Sequence, residues 1–288
     1  MSRRTRGQIW VITLAAIGIV IVLNQFAGRP GLGPMDFVVG GQDAVQFCDP
    51  NHPRFYPSSS EPQRVVTMAI EAPGDPSRGA RLVLKTVSGR IIRRADLRST
   101  EGRRLRLFVV DRGLDSFVEK DPVETRPGVW LFTLQPVVGR SYRIFADFTP
   151  DATAREMYTW GDMKPAARGL PATPPGPGEY RFRFSTVPAV LYARQPFTVK
   201  MTVARRDGGA VAVQPVAGVR ADLVAFDSGL TGMAKFEDSS GSGDAPDPRR
   251  SKFSFSGAIA DSGRYVFWAD VRLGGRTVYR RFAATILP

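Results

Sequence analysis

The sequence contains very few of the residues that build metal centres and nucleophilic active sites. Its 288 residues include one cysteine and one histidine. A single cysteine excludes an intramolecular disulfide and a thiolate zinc cluster. A single histidine excludes a three-histidine metal centre. After residue 28, no stretch keeps the 3.6-residue apolar period of a helix, which argues against an α-helical domain.

Glycine, proline and apolar residues are abundant instead. The chain has 29 glycines and 23 prolines, and 43% of its residues are hydrophobic. This composition is typical of a folded protein with many turns. The net charge is +13, from 40 basic and 27 acidic residues. Because the basic residues are scattered along the chain, we interpret them as a solvated surface and expect no nucleic-acid partner.

The N-terminus has the pattern of a membrane-targeting segment. Residues 1–8 carry three arginines and no acid, and residues 9–27 are almost entirely apolar. The apolar run just reaches the ~20 residues of a membrane span, so we expect residues 1–28 to be an uncleaved signal anchor in a bacterial inner membrane. The positive-inside rule then places the C-terminal domains in the periplasm or extracellular space. A cleaved signal peptide is the alternative.

Short apolar runs separated by turn residues divide the rest of the chain, which predicts the strands of β-sandwiches. We expect an all-β fold of two tandem immunoglobulin-like β-sandwiches behind the N-terminal transmembrane helix. The expected segments are a tether at 29–63, sandwich 1 at 64–163, a Pro/Gly linker at 164–179 and sandwich 2 at 180–288. Since such linkers carry few contacts, the two sandwiches are expected to separate there.

An internal repeat relates the two sandwiches. Residues 107–114 align with 223–230, and residues 142–147 align with 265–270. The two strings follow in the same order at nearly the same separation, which indicates two copies of one sandwich. The extra residues of the second copy fall in 238–249, a Ser/Gly/Asp/Pro run in which a loop tolerates insertion.

Two strings, Leu-Arg-Leu-Phe-Val-Val at 105–110 and Tyr-Arg-Ile-Phe-Ala-Asp-Phe at 142–148, carry a family resemblance. They resemble bacterial exported tandem β-sandwich domains that accompany copper and heavy-metal handling systems. The likeness covers roughly residues 80–150 and, more weakly, 197–285. It implies a metal-handling scaffold with histidine ligands, one in the first string and two in a His-x-His-Pro motif that follows.

The chain departs from this resemblance at the histidines. Arg106 stands at the strand position, and Asp222 stands there in the second copy. Glu119 and Asp121 replace the two histidines of the later motif, and Glu237 lies at the matching place of the second copy. Arginine cannot replace imidazole as a copper or zinc ligand. We therefore expect that the soft-metal site is absent and that Arg106 pairs with Glu119 or Asp121 across neighbouring strands.

Two weaker metal hypotheses remain open. The carboxylates at these replaced positions offer hard oxygen ligands, although calcium takes six to eight of them. Cys48 and His52 lie four residues apart in the tether. They are incidental residues, ligands of a copper or zinc ion, or, for Cys48, the site of an intermolecular disulfide.

No constellation of residues indicates an enzyme. His52 lies in the tether, so a Ser or Cys nucleophile in either sandwich lacks a base. We expect no cofactor. We expect the aromatic segment at 158–163 to cap the first sandwich, and contact with a ligand or a partner is the alternative. The expected function is a membrane-anchored, non-enzymatic binding or scaffolding protein of the cell envelope, with an envelope protein as partner. The alternative is a periplasmic protein that binds copper, zinc or calcium.

Overall fold

The computed structural model describes residue 32 and seven longer segments. These segments are 65–71, 79–100, 102–134, 139–164, 178–215, 220–239 and 250–288. The predicted anchor and the candidate residues Cys48 and His52 lie outside the described residues. None of the described helices is both long and apolar enough to cross a bilayer.

The described chain is all-β, and its first half forms two four-stranded antiparallel sheets. One sheet has the order β1-β2-β6-β5 and the other the order β4-β3-β7-β8. The strands are β1 (Val66–Glu71), β2 (Ala80–Thr86), β3 (Leu105–Asp111), β4 (Phe117–Lys120), β5 (Val123–Arg126), β6 (Val129–Phe132), β7 (Tyr142–Phe148) and β8 (Met157–Met163). A single 3-10 turn at Arg94–Asp96 interrupts the described strands.

The second half forms a three-stranded and a five-stranded sheet. Their orders are β14-β11-β9 and β10-β16-β15-β12-β13. The strands are β9 (Tyr180–Val187), β10 (Leu191–Tyr192), β11 (Phe197–Arg205), β12 (Ala221–Asp227), β13 (Met233–Glu237), β14 (Arg250–Gly257), β15 (Gly263–Leu273) and β16 (Arg276–Leu287). All pairs are antiparallel except β10 with β16.

Each half has its own apolar core, because its strands alternate apolar and polar residues. In β11 every second residue from Phe197 to Val203 is buried and the residues between them are more exposed, as period-two side-chain alternation requires. The core of the first half includes Leu82, Leu107 and Ile144. Leu32, a residue of the expected tether, packs against this core. In each half, the described strands therefore form two sheets around one apolar core, which is a sandwich-like arrangement.

A third apolar cluster joins the two halves. Strands β3 and β7 are buried along their whole length, because one face packs in their own sandwich and the other packs against the second. Phe145 of β7 lies 5.1 Å from the ring of Phe226, and Phe117 lies 5.5 Å from the ring of Trp268. Phe108 and Val110 make the second face of β3 apolar as well, which is typical of a strand buried on both faces, but the sequence does not show that the second sandwich covers that face.

The repeated string Asp-x-Gly-Leu forms the same turn in both halves. The carboxylate of Asp111 accepts hydrogen bonds from the N–H groups four and five residues ahead, and the carboxylate of Asp227 does the same. Leu114 and Leu230 follow in the left-handed region, with φ of 58° and 55°. The carbonyl oxygen of each of these leucines accepts a hydrogen bond from an arginine of the other sandwich.

Segment 158–163 does not form the predicted cap. It lies within β8, an edge strand that pairs with β7 over its whole length. Tyr158 and Trp160 of this strand pack against the cluster shared by the two sandwiches. The sequence interpretation was wrong because it treated an aromatic run near a linker as an exposed cover, whereas these rings face the second sandwich across the sheet that contains β7 and β8.

Candidate functional site

Four charged residues meet where the two sandwiches join. Arg106 of β3 and Glu119 of β4 come from the first half, and Asp222 of β12 and Asp270 of β15 come from the second. Arg106 points to the interface because Phe108, two residues further on the same strand, belongs to the shared apolar cluster. The site is therefore the polar end of the apolar interface.

Arg106 holds the centre of this cluster. Its Nε lies 3.0 Å from Glu119 Oε1 and its Nη2 lies 2.7 Å from Glu119 Oε2, a bidentate pair. The same Nη2 lies 2.9 Å from Asp222 Oδ2. The side chain is almost fully buried, and its guanidinium carbon lies 5.1 Å from the centre of the Phe108 ring. Although burial lowers the pKa of Arg106, the adjacent carboxylates raise it above the ordinary value, so Arg106 is a permanent cation.

Asp270 completes a group of three carboxylates. One oxygen from each of Glu119, Asp222 and Asp270 lies within 4.8 Å of the other two. The backbone N–H of Asp222 donates to Asp270 Oδ1 at 3.3 Å. Burial, together with the charges of Glu119 and Asp222, raises the pKa of Asp270 well above its ordinary value. Three carboxylates at this spacing are a candidate cation site, and the cation that contacts two of them is Arg106.

A polar cleft of about 190 Å³ opens beside the cluster. Arg103 reaches into it and forms an ion pair with Glu119. The carboxylate of Asp121 lies 3.7 Å from Arg103 Nη1, and its side chain is 60% exposed. Partial burial raises the pKa of Asp121 above its ordinary value. The lining of the cleft thus combines four acidic side chains with the guanidinium groups of Arg103, Arg220 and Arg272.

Tyr279 of β16 ties the first sandwich to the second at this cleft. Its hydroxyl accepts a hydrogen bond from the backbone N–H of Glu119 at 3.3 Å. Its ring lies 5.4 Å from the ring of Phe117 in an edge-on contact. Burial raises the pKa of Tyr279 to about 12, so its hydroxyl stays protonated at neutral pH. The strand that carries Glu119 is therefore fixed by both a polar and an aromatic contact.

A second ionic cluster lies elsewhere along the same interface. Lys235 Nζ of β13 lies 2.7 Å from Asp147 Oδ2 of β7, and it also forms an ion pair with Glu156. Burial raises the pKa of Asp147 to about 6, against the lowering effect of Lys235. Burial lowers the pKa of Lys235, but the charges of Asp147 and Glu156 offset this and leave it raised.

The structure brings some of the sequence-predicted residues together. Arg106 contacts Glu119 and Asp222, whereas Asp121 faces Arg103. Glu237 lies on β13, and its backbone pairs with that of Asp222. The sequence interpretation missed Asp270. It could have been found, because Asp270 ends the repeated string at 265–270 and so matches Asp147 of the first copy.

The charge balance of the cluster defines its chemistry. A guanidinium is a fixed, always-charged group with donors only, so it neutralises the carboxylates without binding or releasing a proton. Copper and zinc sites need imidazole or thiolate ligands. The described residues include no histidine and no cysteine. The arrangement is suited to joining two sheets through ionic hydrogen bonds.

Comparison with known proteins does not assign this chain to a family. No family model and no curated protein matches the chain. Three solved structures have a remote likeness to it. A red sea bream transglutaminase is 10% identical over 78% of this chain and 31% of its own chain, with a TM-score of 0.26. A Bacteroides vulgatus beta-glycosidase is 9% identical over 77% of this chain and 25% of its own, with a TM-score of 0.19, and a Parabacteroides merdae beta-glucuronidase is 7% identical over 76% and 25%, with a TM-score of 0.17. The chain spans less than a third of each protein, and such TM-scores say nothing about its activity.

Proposed function

We propose that this chain is a membrane-anchored, non-enzymatic binding or scaffolding protein of the cell envelope. Its two sandwiches act as one unit that presents its outer faces and edges to an envelope protein. We also infer that both sandwiches are immunoglobulin-like and that residues 9–27 hold them at a bacterial inner membrane. Support for the location is the arginine-led apolar run at the N-terminus.

The observation that carries the proposal is the position of Arg106. It stands where the resembled metal-handling domains have a histidine, and it makes three hydrogen bonds to Glu119 and Asp222. Its cationic group thus takes the place that a metal ion would have among the carboxylates. Because it is part of the chain, this cation cannot be exchanged or removed, which favours a structural role for the whole cluster.

Metal handling is the second candidate, and one observation favours it. Glu119, Asp222 and Asp270 have the spacing of a three-carboxylate metal site. Oxygen ligands of this kind suit calcium or manganese better than copper or zinc. Displacement of Arg106 from the cluster would be required for an ion to use all three carboxylates.

Metal binding separates the two candidates. The full chain, purified in detergent and stripped with a chelator, is titrated with copper, zinc and calcium and then assayed for bound metal. We expect no stoichiometric binding. In Arg106→His/Glu119→His/Asp121→His we expect copper or zinc to bind, because the first two positions face each other and the resembled domains have histidines at all three. Arg98→His/Asp151→His, a change at an exposed pair, is the control.

Stoichiometric binding by the unaltered chain that is lost in Asp270→Asn would overturn the structural proposal in favour of metal handling. A triple-histidine variant that folds but binds neither copper nor zinc would show that the likeness to metal-handling domains does not extend to the geometry of the site.

A further inference from the structure

The three-stranded sheet β14-β11-β9 has an unusual charge pattern. Its strands contain no aspartate or glutamate. The cations Arg181, Arg183, Lys200 and Lys252 are all exposed. Register places Thr202 between Arg183 and Lys252, and Lys200 one position further along the same side. The outer face of this sheet, which we term the basic face, therefore carries cations and small hydroxyl residues.

The orientation of the basic face is fixed by the core behind it. The residues that alternate with these cations, among them Phe182, Phe184 and Met201, face the apolar core of the second sandwich. Neither Arg181, Arg183 nor Lys200 forms an ion pair with another described residue. The three charges consequently act together on whatever approaches the sheet from outside.

An apolar tip adjoins one end of the basic face. Val187, the last residue of β9, is 50% exposed, and Val190 in the following turn is also 50% exposed. Tyr192 is 46% exposed and pairs with Leu287, which is 39% exposed. Val187 lies on the same side of β9 as Arg181 and Arg183, so the cationic and apolar surfaces are continuous.

The outer sheet of the first sandwich offers a comparison within the same chain. There Arg81 pairs in register with Glu71, so opposite charges lie side by side. Val83 and Leu131 of the neighbouring strands are only half-buried on that sheet. A general excess of arginine does not therefore explain the basic face, because the other outer sheet mixes both signs of charge.

We propose that the basic face and its apolar tip dock onto an anionic lipid bilayer, with the cations on the headgroups and the tip in the interfacial region. Cations near a membrane surface are attracted to anionic lipids, and exposed aliphatic and tyrosine side chains partition into the headgroup boundary. The apolar tip favours a bilayer over a duplex nucleic acid, because non-specific duplex binding comes from phosphate charge and gives Val187 and Val190 no apolar partner. Docking would hold the second sandwich against the membrane.

The test uses the full chain in lipid nanodiscs. A dye at position 189, introduced as Ala189→Cys in a Cys48→Ser background, reports contact with brominated lipids through quenching. We expect strong quenching with about 30% phosphatidylglycerol and weak quenching with phosphatidylcholine alone. Salt of about 0.5 M should reduce the quenching, because it screens charges beyond a few ångströms.

Matched variants separate the basic face from general charge. Arg181→Glu/Arg183→Glu/Lys200→Glu should lower the docked-to-undocked ratio by at least about fivefold for each cation removed. Arg81→Glu/Lys85→Glu/Arg126→Glu makes the same charge change on the other outer sheet and should leave the ratio unchanged. Val190→Asp should lower quenching even when all the cations are present.

The outcomes distinguish this proposal from the proposed anchor. A chain that does not enter neutral nanodiscs contradicts the anchor. Sedimentation of that chain with vesicles of the same anionic lipid composition then tests docking directly. Equal quenching on neutral and anionic lipids, or an equal effect of the two triple variants, overturns the docking proposal. Tighter binding to duplex DNA than to anionic vesicles, unaffected by Val190→Asp, would assign the basic face to a nucleic acid instead.

Discussion

The two ionic clusters of the interface occupy equivalent places in the repeat but have opposite charge at one key position. Glu119 of the first copy and Lys235 of the second lie at an offset of 116 residues and have the same register on their strands. Lys235 faces Asp147, an opposite charge, whereas Glu119 lies near Asp270, a like charge. One cluster therefore has a cation at this place, whereas the other has an acid there and receives its cations from Arg106 and Arg103.

The position of Arg106 explains how the two copies fit together. Arg106 and Asp222 are equivalent in the two strings, and their side chains contact each other. Contact between equivalent positions is the mark of an isologous interface, as in a two-fold dimer. Equivalent surfaces of the two copies thus pack against each other. Because one copy has Arg106 at the central position and the other has Asp222, the two side chains attract, whereas two identical charges there would repel.

The comparison predicts that the Arg106 cluster depends most strongly on its cation. Arg106→Met should destabilise the protein by about 4–5 kcal/mol, because the buried carboxylates of Glu119 and Asp222 lose the cation that hydrogen-bonds to both of them. Urea unfolding of the full chain in detergent, followed by tryptophan fluorescence, measures the change. Arg98→Met at an exposed ion pair is the control and should cost less than about 1 kcal/mol.

Rescue by an ion would sharpen this prediction. If the three carboxylates of Arg106→Met are left facing one another, added calcium or manganese should recover part of the lost stability, and Asp270→Asn in the same background should remove that recovery. A stability loss as small as that of Arg98→Met would mean that Arg106 is not needed at the interface.

The cluster around Lys235 should respond less. Lys235→Met should cost about 3 kcal/mol at neutral pH, the lower end for breaking a buried pair, because Asp147 and Glu156 lose their shared partner. The loss should shrink as pH falls towards 5, since a carboxyl that takes up a proton no longer needs the lysine. Unfolding curves of Lys235→Met and the unaltered chain at both pH values measure this, and a loss independent of pH would contradict it.

Periodicity and turn residues predict the local structure well but not the interface. The strands around residues 107 and 144 follow from short apolar runs bounded by turn residues, and the strand around residue 199 follows from strict alternation. Strands β8 and β16 were missed, because several of their aromatic and charged residues contact the other sandwich and break the simple alternation of an isolated strand. Arg106 and Glu119 could be paired from a resemblance, whereas the contact between Arg106 and Asp222 depends on how two sheets meet in space.

The two buried aspartates should make stability fall as pH rises. Burial raises the pKa of Asp147 to about 6, whereas an unfolded aspartate titrates near about 3.9. Between about pH 4 and pH 6 the folded state holds a proton that the unfolded state has released, so the free energy of unfolding decreases as pH rises. Lys235, Glu156 and Arg106 are the charged groups that set this value.

Replacement by asparagine isolates that contribution. Relative to Asp147→Asn, the unaltered chain should lose about 2 kcal/mol of stability between pH 4 and pH 6. Asp270→Asn should remove a contribution of the same sign from the other cluster, since the pKa of Asp270 is also raised. Parallel pH profiles for Asp147→Asn and the unaltered chain would show that Asp147 does not titrate in this range.

The smallest effect is expected at Asp121, which the sequence analysis treats as equal to Glu119 as a partner of Arg106. Its carboxylate is 3.7 Å from Arg103 and 60% exposed, so water screens the ion pair. Asp121→Asn should change the free energy of unfolding by less than about 0.5 kcal/mol, whereas Glu119→Gln should cost several times more because it breaks a bidentate, buried pair. If the two variants lost equal free energy of unfolding in urea, Arg106 would depend on both carboxylates, and Asp121 would be as important to the cluster as Glu119.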